Sequence, residues 1–251
     1  MMPLFLFAGC QSTTYQAPDP ESIVFKQFEE IEEGRETAVI TTTEGTITMV
    51  LFEDEAPKTV KQFKKLIGDG FYNDKAIFSQ SGPHTFITGA ETEDGSKGRV
   101  DTDDGKPIEC EVTQNLWHFS GAVSVLGQEK SRFSGTMISD SRFFIIGNVE
   151  ATTELVQEME KYNYPMKVIN AYKEHGGLPQ YTGAYTVFGQ VIDGMEVVDK
   201  LSQMAIDEQT GKTVDAKVIK IELSTYHKGD AASGAASDGD AASSQPESDG
   251  E

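Results

Sequence analysis

The side chains able to carry chemistry are few and scattered. The chain has four histidines, His84, His118, His175 and His227, and two cysteines, Cys10 and Cys110. No spacing among them suits a metal site. No phosphate-cradling glycine loop and no nucleophile, histidine and acid set is present either. We therefore expect no metal and no cofactor. The stretch that stands out is "FSQSGPHTFITGAE", residues 78–91. It has the outline of a site for an extended peptide, yet it contains no lysine or arginine.

The elements that must hold such a stretch can be read from periodicity. "TAVITTTEGTITMVLFEDEAPKT" has two β-rich runs, 38–43 and 46–52, on either side of Glu44-Gly45, a hairpin signal. Pro57 then opens a helix with Val60, Phe63, Leu66 and Ile67 on one face and lysines 58, 61, 64 and 65 on the other. The acid run "EDEAP" reads as helix-start chemistry. Beyond Phe71 come short apolar runs between glycine-rich or charged loops: "KAIF", "TFITGA", "GAVSVLG", "TMIS", "SRFFIIG", "YTVFGQVI" and "AKVIKIEL". Many short strands favour an all-β barrel or sandwich. Helical patterns interrupt them at "TTELVQEMEKYN", at "PMKVINAYKEHGG" and at "GMEVVDKLSQM".

The two ends read differently from the body. From Gly229 the chain repeats "GDAAS" and has acids but no base; with nothing large and apolar to bury, we expect a disordered acidic tail. "MMPLFLFAGC" is too short to span a bilayer. Its Phe7-Ala8-Gly9-Cys10 resembles the processing box of bacterial lipoproteins, which implies lipidation of Cys10 and placement on the extracytoplasmic face of a bacterial membrane. The net charge of −20 opposes nucleic-acid partners and a bare anionic membrane surface, leaving a lipid on Cys10 as the membrane link. The expected organisation is a truncated-looking signal at 1–9, a tether at 10–35, one domain at 36–226 and the tail at 227–251.

Several segments, in order, resemble the cyclophilin-type peptidyl-prolyl isomerases. "DEAPKTVKQFKKLIGDGFYND" is similar to that family's first helix and the approach after it. "LWHFSGAVSVLG", "SRFFIIG" and "YTVFGQVIDGMEVVDKL" resemble three further signature segments, and "KVINAYKEHGGLP" an insertion of a bacterial subgroup. The resemblance covers nearly all of residues 37–223. It implies a mainly β fold: a closed eight-stranded antiparallel β-barrel capped by two helices, with a small extra helical insertion.

The resemblance also implies a set of site residues. Laid without gaps on residues 78–91, the family's catalytic arginine falls on Gln80, its substrate-holding glutamine on Thr88 and an apolar pocket residue on Thr85. Phe78 opens the segment, and Phe86 falls on a pocket methionine. Phe144 falls on the pocket phenylalanine, and Tyr181 and Tyr185 fall near a leucine and a histidine at the rim, beside Gln180. Leu126 and Gly127 replace a pair whose backbone holds substrate. Arg142 stands where the family has a groove-lining glutamine; it is either a substitute donor facing the slot or an arginine on a solvated strand face. His118 reads as structural, within a strand.

Two functions of different class follow from the resemblance. One is a foldase acting on X–Pro bonds of unfolded or exported proteins, slowed because Gln80 is a neutral donor. The alternative is a non-catalytic module or chaperone that holds proline-containing segments in the same groove. A purely structural or adhesion role would predict no affinity for such peptides. The altered rim at Thr85, Leu126 and Gln180 implies weak cyclosporin binding, and a closed barrel implies a monomer.

Overall fold

The two β-rich runs near the start pair as a hairpin, β1 (Glu36–Thr42) with β2 (Gly45–Leu51), in register from Thr42 opposite Gly45 to Thr37 opposite Val50. Alternation decides their faces: Ala38 and Ile40 on β1 and Ile47, Met49 and Leu51 on β2 join the interior cluster, while Val50 joins a different one. The computed structural model describes residues 20–78, 84–131, 135–207, 209–210 and 212–228.

Seven further strands complete the sheet: β3 (Lys75–Phe78), β4 (Thr85–Thr88), β5 (Ile108–Glu109), β6 (Ala122–Glu129), β7 (Met137–Ile146), β8 (Val187–Asp193) and β9 (Lys212–Thr225). Their order is β4-β3-β9-β1-β2-β8-β6-β7, and β7 pairs back onto β4, closing an antiparallel barrel of eight. The short β5 adds to β7 outside the closure. "TMIS" and "SRFFIIG", read as two runs, are one ten-residue strand, β7.

The helices pack as amphipathic elements should. α1 (Pro57–Gly68) and α4 (Met195–Gln203) bury Val60, Phe63 and Leu66, and Val197, Val198 and Leu201, in the interior cluster and cap the barrel. Helix α1 has Pro at its start but no side-chain cap from Ala56. Glu111 supplies the cap from far along the chain, accepting from Lys58 N at 3.1 Å and from Thr59 N at 2.9 Å. A carboxylate there satisfies orphan amides and favours the positive end of the helix dipole. The "EDEAP" acids do other work: Glu53 pairs with Lys64, and Glu55 accepts from Asn115.

The insertion forms α2 (Thr153–Lys161) and α3 (Met166–His175). Met159, Val168, Ile169 and Tyr172 make a second, smaller core with Trp117 and Phe119. Ile23, only 1% exposed, belongs to it too. The tether expected over 10–35 is thus corrected from residue 20 onward: that part is docked on the body. Gln27 Nε2 donates to Trp117 O at 2.9 Å, and Gln27 Oε1 accepts from Trp117 N at 2.7 Å. Arg35 Nη2 donates to Leu51 O at 2.7 Å. Burying one isoleucine contributes about 1.5–3 kcal/mol to holding this arm, beside the ring contacts of Phe25 and Phe28 and the two amide bonds. Cys10 and the acidic tail from 229 onward lie outside the described residues. Among the described residues, no helix is long and apolar enough to cross a membrane.

Candidate functional site

The pairing of β4 with β7 decides which side chains share a face. Phe86 stands opposite Ile145, Ile87 opposite Phe144 and Thr88 opposite Phe143. Phe143 and Ile145 belong to the barrel interior, together with Phe86. Phe144 and Ile146 belong to the cluster on the outer wall, together with Ile87, Phe78, Val50 and Val187. Successive side chains of a strand alternate between faces, so a slip of one residue sends every side chain to the wrong side. Two expectations are therefore corrected. Phe86 is not a groove residue but interior core, and Thr88 lies on the interior side, where its Oγ1 donates to Ala76 O at 2.9 Å. Ile87, which the ungapped comparison passed over, takes the groove position opposite Phe144. Thr85, two residues before it, shares that outer face and is buried.

Phe144 is the centre of an aromatic layer. Tyr181 meets its ring edge-on at 5.3 Å between centroids, Tyr185 at 5.9 Å, and the two tyrosines lie 5.6 Å apart. Such edge-to-face contacts match the quadrupoles of the rings. Gly127 makes room for this: a Cβ there would sit 2.6 Å from the Tyr185 ring. Leu126, at an irregularity in the β6–β7 register, packs partly buried against the same cluster. Gln180 is exposed on the 3-10 turn Pro179–Tyr181 that delivers Tyr181. Burial raises the pKa of both tyrosine hydroxyls.

His118 underlies this layer. Its ring stacks on Phe144 at 6.2 Å and meets Tyr181 edge-on at 5.9 Å. It sits in the loop before β6, not in a strand. Ser124 Oγ donates to Thr186 O at 2.9 Å, so it is left to accept from His118 Nε2 at 3.1 Å. That fixes the neutral tautomer with its proton on Nε2, and Nδ1 is left buried with no hydrogen-bond partner among the described residues. Burial drives the imidazole pKa down to about 3.

Arg142 differs from both readings made of it. It is 6% exposed, so it is not on a solvated face, and its guanidinium is fully committed. Nε donates to Asp140 Oδ1 at 3.0 Å, and Nη2 donates to Asp140 Oδ2 at 2.7 Å and Gln128 Oε1 at 3.3 Å. Nη1 donates to Gly95 O at 3.2 Å and Ser96 O at 2.7 Å. A guanidinium has five N–H groups, and these partners use all of them. No donor remains to face a prolyl nitrogen. Gln80, the other candidate donor, lies outside the described residues.

These residues make an apolar strip with an aromatic centre on the outer wall of a closed antiparallel barrel, flanked by the 91–98 and 178–186 segments. Its central members are themselves buried, Phe144 at 3% and Ile87 at 7% exposed, with the rings of Tyr181 and Tyr185 packed against Phe144. The family profile described as cyclophilin type peptidyl-prolyl cis-trans isomerase/CLD matches residues 37–223, and the chain belongs to that family. A Streptococcus pyogenes serotype M6 protein, named as a candidate bifunctional phosphatase/peptidyl-prolyl cis-trans isomerase, is 32% identical over 187 residues. That match spans 73% of this chain and only 38% of the relative's length. A Staphylococcus aureus protein, named as a candidate peptidyl-prolyl cis-trans isomerase, is 27% identical over 194 residues, 77% of this chain and 94% of the relative. Among solved structures, a Cryptosporidium parvum cyclophilin type peptidyl-prolyl cis-trans isomerase has a TM-score of 0.57 at 22% identity, covering 76% of this chain and 99% of its own. Its crystal form in the presence of the dipeptide Ala-Pro has a TM-score of 0.56. At that identity the likeness speaks for the fold.

Proposed function

We propose that this chain catalyses cis–trans exchange about X–Pro bonds in the groove centred on Phe144, more slowly than relatives that keep the family arginine. The observation that carries this reading is Phe144 itself: at the family's pocket position, it stands on the outer wall with Ile87 opposite it and two tyrosines above it. Rotation about the X–Pro bond sacrifices amide resonance, a barrier of roughly 18–20 kcal/mol. A donor aimed at the prolyl nitrogen acts where the lone pair localises, in the twisted state, and so lowers the barrier instead of only tightening binding. Gln80 offers a neutral donor, roughly half as strong as a charged one. Backbone groups and the aromatic layer hold the peptide, and no metal or cofactor enters.

The test is X–Pro exchange measured by NMR on a short peptide, for the native chain and Gln80→Arg. A charged donor gains about 1.4 kcal/mol over a neutral one, so the variant is expected to raise kcat/KM about tenfold. A second reading, a binding module without catalysis, draws support from the full commitment of Arg142. It wins if neither protein accelerates exchange while peptide shifts the resonances of Ile87 and Phe144.

The setting follows from the ends of the chain. The box ending at Cys10 supports a lipid anchor at an extracytoplasmic membrane face, with segments of exported proteins as clients, and the closed barrel supports a monomer. Loss of labelled fatty acid from a Cys10→Ser variant in a bacterial host is the expected result.

A further inference from the structure

Residues 91–97 read ETEDGSK. A segment without one large apolar side chain has little to bury and does not order itself by burial. It is nevertheless folded into a tight turn, with Ala90 bridged to Gly98 and Glu91 N donating to Lys97 O at 2.8 Å. Asp94 accepts from Ser96 N and Oγ inside the turn. These bonds shape the turn but do not join it to the barrel. Arg142 does, through Gly95 O and Ser96 O. Asp140 secures the same joint from below, accepting from Gly98 N at 3.1 Å while it holds the guanidinium.

The turn meets the groove at Gly95. This glycine is buried with φ +75°, and a Cβ on it would lie 2.9 Å from Phe78 Cε1. Both the backbone conformation and the close approach call for glycine. Phe78 belongs to the outer-wall cluster with Phe144 and Ile87. The chain of contacts therefore runs from Asp140 to Arg142, to the turn, to Phe78 and the groove wall.

We propose that Arg142 is a positioning residue for peptide binding: paired with Asp140, it clamps the 91–98 turn against Phe78 and sets the width of the groove on that side. The clamp rests on the isomerase reading, and it acts on peptide affinity and not on the rotation step, because the guanidinium has no donor left for the reacting bond. Lysine cannot take its place fully. An ammonium keeps the ion pair with Asp140 but lacks the planar fork that reaches two carbonyls and Gln128 together.

The experiment compares the native full chain with Arg142→Lys and with the double variant Arg142→Gln, Asp140→Asn, which removes both charges together and so leaves neither buried unpaired. KM and kcat for a short X–Pro peptide, peptide Kd, and amide hydrogen exchange at 95–97 are read on each. The clamp predicts faster exchange at 95–97, with KM and Kd raised about tenfold and kcat within about twofold in the double variant, and values between for Arg142→Lys. It is overturned if the turn loosens and KM and Kd stay at native values, or if the turn's exchange does not change. A native chain that neither binds nor accelerates the peptide overturns the isomerase reading and the clamp's role in it. Native activity with unchanged variants overturns the clamp alone.

Discussion

Replacing Phe86 or Ile87 by alanine separates the two faces of β4. Phe86 is packed in the barrel interior with Phe143 and Ile145, so Phe86→Ala is expected to cost about 3–5 kcal/mol of stability. Peptide affinity should follow only through the folded fraction. Ile87→Ala removes groove wall opposite Phe144, and its vacancy lies on the outer wall, so about 2 kcal/mol is expected together with weaker peptide binding. Urea unfolding and peptide titration of both variants check this; equal loss of affinity from both would place Phe86 back in the groove. The same single-residue logic explains why Gln80 and Arg142 are not interchangeable. A charged donor is useful to the reaction only if it is free, and Arg142 is spent on Asp140, Gln128 and two carbonyls.

Among the elements, the docked arm shows most clearly that local sequence understates tertiary structure. Residues 20–28 make only two 3-10 turns, Pro20–Ser22 and Lys26–Phe28. What holds them is Ile23 in the second core, Phe25 and Phe28 against Phe119 at 5.5 and 4.9 Å, and Gln27 on the backbone of Trp117. Ile23→Ala is expected to cost about 2–4 kcal/mol if the arm unfolds with the domain. Trp117 is the chain's single tryptophan, so its fluorescence during urea unfolding reports both stability and the arm. An arm that behaves as a loose tether leaves the unfolding midpoint where it was.

At the scale of the whole molecule, acid should destabilise this fold through a buried neutral base. His118 has a folded pKa of about 3, below the ordinary value near 6.5. Its contribution is therefore fully present above about pH 6.5 and is lost as pH falls toward 3, because only the unfolded chain takes up the proton. The slope between those limits approaches about 1.4 kcal/mol per pH unit. Asp94, pulled down to about 2 by its bonds to Ser96 and Thr92, works in the same sense, though only once pH falls below the ordinary aspartate range. Melting temperature measured from pH 7 to 5.5 isolates the histidine from Glu30, Glu33, Glu44 and Glu109, whose lowered folded pKa values add to the slope only nearer the ordinary glutamate range, and His118→Leu should flatten the curve over that window. An unchanged slope would mean that the ring becomes hydrated before the fold opens.

Sequence alone determined the barrel's parts. The hairpin, α1 to α4 and most of the short strands lie where period and turn chemistry put them, apart from the merging of two runs into β7 and the short β5, and ordered motifs spanning 37–223 pointed to the family. These signals are local: an apolar stripe, a proline at a helix start, a β-rich run between breakers. Tertiary structure decided what depends on partners far along the chain. The cap of α1 comes from Glu111, and Arg142 grips carbonyls 46 and 47 residues away. Which face of β4 looks outward was settled by its register with β7, since alternation has a period of two and an ungapped comparison cannot detect a slip of one. The loop at 91–98 shows the limit most plainly. Its own composition calls for disorder; bonds within the turn shape it, and the buried Arg142–Asp140 pair on another strand joins it to the barrel.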